Sequence, residues 1–302
     1  DSVDQLLKSS DVAMYQAKER GRNNAQFYSA TMNSMAAERL ELENDLRKAL
    51  EHHELTVYYQ PQVDIRSKRI VGAEALVRWH HPVRGLLMPA VFLPVANETG
   101  MIRKLDEAVL GMACRQGKAW QDAGYVPIRM SVNVSNSFFH GASLVSAVSR
   151  ALEETQLPPE FLELELTESI AMRHVETSIE MLQELRAIGI RLSIDDFGTG
   201  YSSLSHLQRF PLNMLKIDQS FACDVPHNAA NVSISRAIVS LAHSMNLTVL
   251  VEGVEHEEQL KMFREQGCDE AQGHYFGRPM PAEEFVQWLT RVDAERQGRQ
   301  AA

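Results

Sequence analysis

Cysteine is scarce in this 302-residue chain: Cys114, Cys223 and Cys268 are odd in number and widely scattered. No CxxC pair and no HExxH string occurs, which excludes a disulfide framework and a zinc site of the usual spacing. Each thiol reads as a small buried hydrophobe in a reducing, cytoplasmic setting. No run approaches the ~18 apolar residues of a membrane span, so nothing here is expected to cross a bilayer. The start, Asp1-Ser2-Val3-Asp4, has none of the basic and apolar character of a secretory leader and reads as a cut inside a longer protein. Any membrane anchor of the parent would lie upstream. Basic residues are outnumbered, with 30 Lys and Arg against 40 Asp and Glu and a net charge of -10. That argues against a protein that coats duplex DNA, but not against an anionic small ligand, because metal ions can reverse a local field. No GxGxxG or GxxxxGK[ST] follows a strand pattern, so the usual nucleotide loops are missing.

What remains is an ordinary globular composition, 44% hydrophobic and 23% charged. The chain divides into stretches. In residues 1–32, Asp11 can cap a helix over Val12–Lys18, Gly21 suits its C-terminus, and Ala25-Gln26-Phe27-Tyr28 reads as one short strand. One helix and one strand cannot bury a core alone. Residues 33–53 form a linker helix, with Leu42, Leu46 and Leu50 on one stripe. A barrel is expected over 54–293 and a disordered tail over 294–302.

From residue 54 short β-rich runs alternate with helical patterns. The runs are Leu55–Val63, Ile70–Val77, Ile128–Val134, Phe161–Leu166, Ile190–Ile194, Met214–Ile217, Leu247–Val251 and a weaker one near Ala271–Tyr275. Ile179, Leu182 and Leu185 hold helical spacing before Gly189, as do Ile234, Ile238, Leu241 and Met245 before the seventh run. Eight strands with intervening helices predict an α/β fold, a (β/α)8 barrel. The first two runs are too close for a crossover helix, so the first strand must be antiparallel. A doubly wound open sheet is the alternative.

Barrel enzymes build their sites at the C-terminal ends of the strands. Those ends carry Glu74 and Arg78, Asn133, Glu165 and Glu168, Asp195-Asp196, Lys216 and Asp218, Glu252 with Glu255, and Gln272. In a barrel these ends converge, and so many carboxylates repel one another unless cations neutralise them. Hard oxygen donors without a thiolate or a histidine pair point to Mg²⁺ or Mn²⁺. The adjacent Asp195 and Asp196 suit two ions held close together, an arrangement typical of phosphoester hydrolysis, with a lone lysine to steady a reacting oxygen. Two strings mislead. Asp196-Phe197-Gly198 matches the kinase triplet, but the other kinase motifs are missing. His80-His81 reads as a loop element, since adjacent strand residues point to opposite faces. The 13 methionines read as core filling.

Gly72-Ala73-Glu74-Ala75-Leu76-Val77-Arg78-Trp79 resembles the signature of the EAL family, the phosphodiesterases that open cyclic di-GMP. Other blocks are similar to that family in order. They are Tyr59–Val63, Pro89–Gly100, Asn133-Val134-Ser135, Glu165–Ser169, Asp195–Leu204, Leu215–Asp218, Val251–Glu255 and Gln272-Gly273. Leu6–Tyr28 resembles the end of a GGDEF (diguanylate cyclase-like) domain without that domain's signature, which implies upstream GGDEF and sensor domains but no cyclase activity in this chain. The resemblance implies a barrel whose first strand is antiparallel. Glu74, Asn133, Glu165 and Asp195 would hold one metal ion, and Asp195, Asp196 and Glu252 the second. Lys216 would position the attacking water, Glu252 would serve as base or ligand, and Glu168 would brace the Phe197–Leu204 loop. Arg78 would grip phosphate, Asp218 would lie at the substrate, and Gln60, Leu76, Glu255 and Gln272 would line the guanine sites. The implied reaction opens cyclic di-GMP to linear pGpG by in-line attack of a metal-activated water, with Ca²⁺ inhibitory and a homodimer as the working form. A catalytically inactive cyclic di-GMP receptor is the alternative. Asn97 stands where the family often has an acid, and no metal-site position is lost.

Overall fold

The computed structural model describes residues 25, 27–141, 143–200 and 204–290, together with isolated positions 3, 7, 10, 13 and 14. Ala13 and Met14 are helical. The rest of the expected Asp11–Gly21 helix, Tyr201 to Ser203 and the 294–302 tail lie outside the described residues. Ala25, Phe27 and Tyr28 belong to no strand, which corrects the strand expected there. Phe27 is almost fully exposed, so no sheet face is on hand to bury it.

Two compact units result. The smaller takes the described residues up to Glu54 together with Trp79–Met101; the larger takes Leu55–Arg78 and the described residues from Ile102 onward.

In the smaller unit, helix α1 (Ala30–His52) packs on α2 (Pro89–Glu98). Leu42, Leu46 and Ala49 are buried while Leu50 is half-buried, so the apolar stripe follows i, i+4, i+7. Glu54 accepts from the Trp79 indole at 2.9 Å and from the His80 amide at 2.9 Å. His81 is buried, 3.2 Å from Asp45, and its Nδ1 accepts the amides of Val83 and Arg84. Sequence reading put His80 and His81 in a loop, but they close a strand. A three-residue strand, β3 (Gly85–Leu87), pairs antiparallel with Trp79–His81, the last residues of β2 (Ile70–His81). So short a strand leaves no alternation to detect. His80 is exposed and His81 buried, as the pleat requires.

The larger unit is a closed eight-stranded barrel. Its strands are β1 (Leu55–Asp64), β2, β4 (Arg129–Asn133), β5 (Leu162–Thr167), β6 (Arg191–Phe197), β7 (Met214–Ile217), β8 (Thr248–Val251) and β9 (Glu270–Gln272). They run in the order β1-β9-β8-β7-β6-β5-β4-β2, and a β1–β2 pairing closes the ring. Within this ring every neighbouring pair from β2 and β4 round to β8 and β9 is parallel. β1 is antiparallel to β9, because five residues join it to β2 and no crossover helix fits. The fold is therefore a (β/α)8 barrel with an antiparallel first strand.

Helices wrap the outside. They are α3 (Ile102–Asp122), α4 (Asn136–Phe139), α5 (Leu144–Thr155), α6 (Glu168–Met172), α7 (Val175–Ile188), α8 (Leu204–Leu207), α9 (Gln219–Ala222), α10 (Ala229–Ser244) and α11 (Glu257–Gln266), with a further helix at 282–290. Strand β5 shows how the layers arise. Its Leu162, Leu164 and Leu166 alternate with Glu163 and Glu165, and all five are buried. Both faces are covered, one by helices and one by the barrel interior. Outside β1, Trp120 stacks on Phe285 at 4.9 Å with Tyr59 edge-on at 4.9 Å. Of the thiols, Cys114 and Cys268 are buried but Cys223 is exposed, a correction to its expected burial. Among the described residues no helix is long and apolar enough to cross a membrane.

Candidate active site at the strand ends

The C-terminal ends of the strands bring most of the expected residues into one basin. Lys216 on β7 is fully buried and sits at its centre, 2.6 Å from Glu165, 2.7 Å from Glu252 and 3.3 Å from Asp195. These carboxylates hold its ammonium well above the ordinary lysine range against the pull of burial. Burial pushes the Glu165 carboxyl up, and Lys216 opposes that shift. Burial likewise raises Glu252, to about 8, with Lys216 again opposing.

Asp195 and Asp196 are neighbours in a strand, so a regular pleat would send them to opposite faces. The structure avoids this with a register shift between β6 and β7 across Ile194–Phe197 and a left-handed backbone at Asp196, φ 54°. A bulge of this kind re-aims side chains. The result is that oxygens of Asp195, Asp196 and Glu252 all lie within 4.8 Å of one another. Burial, then the charges of Asp195 and Asp218, raise Asp196 to about 6.

Glu74 on β2 is buried and held by two carboxamides. Asn133 Nδ2 donates to it at 2.7 Å, and Gln272 Nε2 donates to its other oxygen. Gln272 also donates to Gln60 at 3.0 Å, and Gln60 donates to the Gly277 carbonyl at 3.1 Å. This amide chain spans the seam where antiparallel β1 closes the barrel. Gly273 follows directly. A Cβ there would lie 2.2 Å from the Val254 carbonyl oxygen, so only glycine admits this approach of the two strand exits.

Fully ionised, five carboxylates (Glu74, Glu165, Asp195, Asp196, Glu252) and one ammonium would carry four negative charges, the number that two divalent ions cancel. The donor set is all oxygen, with Asn133 supplying an amide, and suits hard cations such as Mg²⁺ or Mn²⁺.

Around the basin, Leu76 and Arg78 share the Glu74 face of β2 by alternation. Arg78 is buried and lies over the Tyr58 ring at 5.4 Å. Its Nη1 bonds the Val77 carbonyl while its Nε has no hydrogen-bond partner among the described residues. Glu168 accepts from the Gly198 amide at 3.1 Å and lies against Gly200, so it touches the loop after β6. Asp218 caps α9 through the Ser220 amide at 3.0 Å. Glu255 stands on the rim, more than half exposed and 3.4 Å from His274. Of the expected residues, Glu168, Asp218 and Glu255 therefore flank the basin rather than line its floor. Sequence reading missed Gln62, whose Nε2 approaches Glu165 at 3.5 Å. Its alternation with Gln60 on β1 was the available signal.

The chain resembles known proteins over most of its length. A family model for the EAL domain matches residues 43–279. MucR of Pseudomonas aeruginosa, a "bifunctional diguanylate cyclase/cyclic di-GMP phosphodiesterase", is 45% identical over 282 residues, 93% of this chain and 41% of that protein. The cyclic di-GMP phosphodiesterase NbdA of the same organism is 43% identical over 296 residues, 97% of this chain and 38% of that protein. The chain thus spans about two fifths of the length of these curated relatives. A solved structure described as the PaMucR phosphodiesterase in a c-di-GMP complex superposes with a TM-score of 0.79 at 45% identity, covering 81% of this chain and 99% of that one. The chain belongs to the EAL-domain family.

Proposed function

We propose that this domain hydrolyses cyclic di-GMP to linear pGpG. The observation that carries the reading is the basin itself, where one buried lysine faces five carboxylates at the mouth of an EAL barrel. The cyclic di-GMP phosphodiesterase names of the relatives support the substrate.

Glu74, Asn133, Glu165 and Asp195 would hold one Mg²⁺ or Mn²⁺, and Asp195, Asp196 and Glu252, whose oxygens lie within 4.8 Å of one another, would hold the second. When bound, the ions neutralise the carboxylates, polarise a phosphoryl oxygen and acidify water. Lys216 holds the attacking water in line with the departing ribose 3′ oxygen. Two roles are open to Glu252: its 2.7 Å contact with Lys216 suits a base that takes the proton of that water, and its closeness to the Asp195 and Asp196 oxygens suits a ligand. Arg78 offers its buried Nε–H to a phosphate oxygen. Glu168 holds the loop after β6 in place. Gln60, Leu76, Gln272, Asp218 and Glu255 face the substrate, the last two from the rim. The three free thiols and this substrate suit a reducing cytoplasmic compartment. Leu204 on α8 and Ile234 on α10 are exposed and support a homodimer through that side, within a parent chain that carries GGDEF and sensor domains upstream. Sedimentation of a fully active monomer at tens of micromolar would remove the dimer.

The test is turnover of cyclic di-GMP with Mg²⁺, Mn²⁺ and added Ca²⁺, with products resolved by mass spectrometry. Linear pGpG is expected with the first two and inhibition with Ca²⁺, whose looser coordination misplaces the water. Tight binding of cyclic di-GMP with no linear product in either metal would overturn the reading in favour of a receptor.

A further inference from the structure

Helix α3 turns one face to the barrel, and Ile102, Leu105, Val109, Leu110 and Ala113 on that face are buried. Asp106 lies among them, 7% exposed. An apolar side chain would occupy this position without the cost of burying a carboxylate. What the carboxylate provides is a hydrogen-bond acceptor. Its Oδ2 takes the Ser135 amide at 3.2 Å. Ser135 in turn caps α4, its Oγ accepting the Phe138 amide at 3.2 Å.

Ser135 lies two residues beyond Asn133 at the end of β4. The intervening Val134 amide donates to the Glu165 carbonyl at 3.0 Å. The backbone that carries Asn133 is therefore pinned by two consecutive amides, one to a strand neighbour and one to Asp106. Asn133 uses that fixed position to place its Nδ2 2.7 Å from Glu74.

We propose that Asp106 is a positioning residue. By holding Ser135 it sets the Asn133 side chain, and through it Glu74, in the geometry that receives a divalent cation. The inference rests on the ion-holding role proposed above for Asn133. Residues that orient metal ligands from outside contribute about 10–100-fold to metal affinity.

The experiment is Mn²⁺ titration of the intact chain by calorimetry, without substrate, alongside melting temperatures. Asp106→Leu should raise the Mn²⁺ midpoint about tenfold. Asp106→Asn keeps an acceptor for the Ser135 amide and should stay within about threefold of the parent. In an Asn133→Ala background, Asp106→Leu should add less than about twofold, because the path through Asn133 is already cut. If Asp106→Leu does not fold, Ser135→Pro removes the same amide donor. Ser135 already has φ −71°, in the proline range, and the same tenfold loss is expected. An Asp106→Leu protein that melts lower but keeps the parent midpoint would overturn the inference, as would losses that multiply in the double variant. Asn133→Ala with an unchanged midpoint would overturn the ion-holding reading and this inference with it. A weakened Asn133→Ala beside an unaltered Asp106→Leu would overturn this inference alone.

Discussion

At the N-terminal end of the strands, Arg129 and Arg191 face Glu163 and Glu270; at the C-terminal end, one lysine faces five carboxylates. The first layer balances its own charge. Arg129 reaches Glu270 at 2.6 Å and Glu163 at 3.3 Å, and Arg191 reaches Glu163 at 3.4 Å. Gln62 accepts from Arg129 at 2.8 Å, and Ser131 donates to Glu163 at 3.1 Å. Two cations meet two anions, and the neutral side chains supply further hydrogen bonds. The second layer is also largely buried and polar, but its carboxylates outnumber its single cation. The first layer serves the fold, whereas the second leaves its charge to be cancelled by ions. The difference between the layers is one of charge balance.

The largest effects separate the layers by function. Glu74→Ala or Lys216→Met should cut turnover of cyclic di-GMP by at least about a thousandfold, because each removes a group that the proposed reaction uses at its centre. Steady-state assays with Mn²⁺ read this directly. Arg129→Met should leave a folded protein with its Mn²⁺ midpoint little changed. Its unfolding free energy should fall by about 3–5 kcal/mol, the usual cost of stranding buried carboxylates. Urea denaturation measures that loss, and an equal loss of metal affinity would dissolve the distinction between the layers.

A smaller effect belongs to Asp106, which lies in neither layer. Burial raises its carboxyl to about 6. A raised acid stabilises the fold while protonated, and that contribution is lost as pH climbs from about 4 through 6. Ionised at pH 7.5, it costs about 3 kcal/mol relative to a neutral isostere. Asp106→Asn should therefore melt about 4–6 °C higher at pH 7.5 and show no advantage at pH 4. Scanning calorimetry at the two pH values checks both halves.

Much of the C-terminal layer was legible in the sequence, because acids, an amide and a lysine at the ends of β-rich runs converge in any barrel. The short Arg66-Ser67-Lys68 connection likewise dictated an antiparallel β1. The N-terminal layer was not legible. Glu163 and Arg129 sit in runs that read as ordinary strands, and only the closed ring shows that they meet. The bulge that turns Asp195 and Asp196 the same way left no local signal, since both residues suit a strand end. Asp106 was hidden among helical apolar positions, where one acid reads as a surface group. β3 was too short for periodicity, and missing it moved His80 and His81 into a loop.

The most direct test compares one neutralised carboxylate from each layer by melting temperature, metal-free and with Mn²⁺. Asp196→Asn removes excess negative charge and places at φ 54° a residue that tolerates that backbone. It should melt higher than the parent without metal and gain less on adding Mn²⁺. Glu163→Gln breaks a balanced layer, so it should melt lower than the parent and keep the full Mn²⁺ gain. Shifts of the same sign in the two metal-free proteins, or an undiminished Mn²⁺ gain in Asp196→Asn, would contradict the assignment of the C-terminal layer as the ion-holding one.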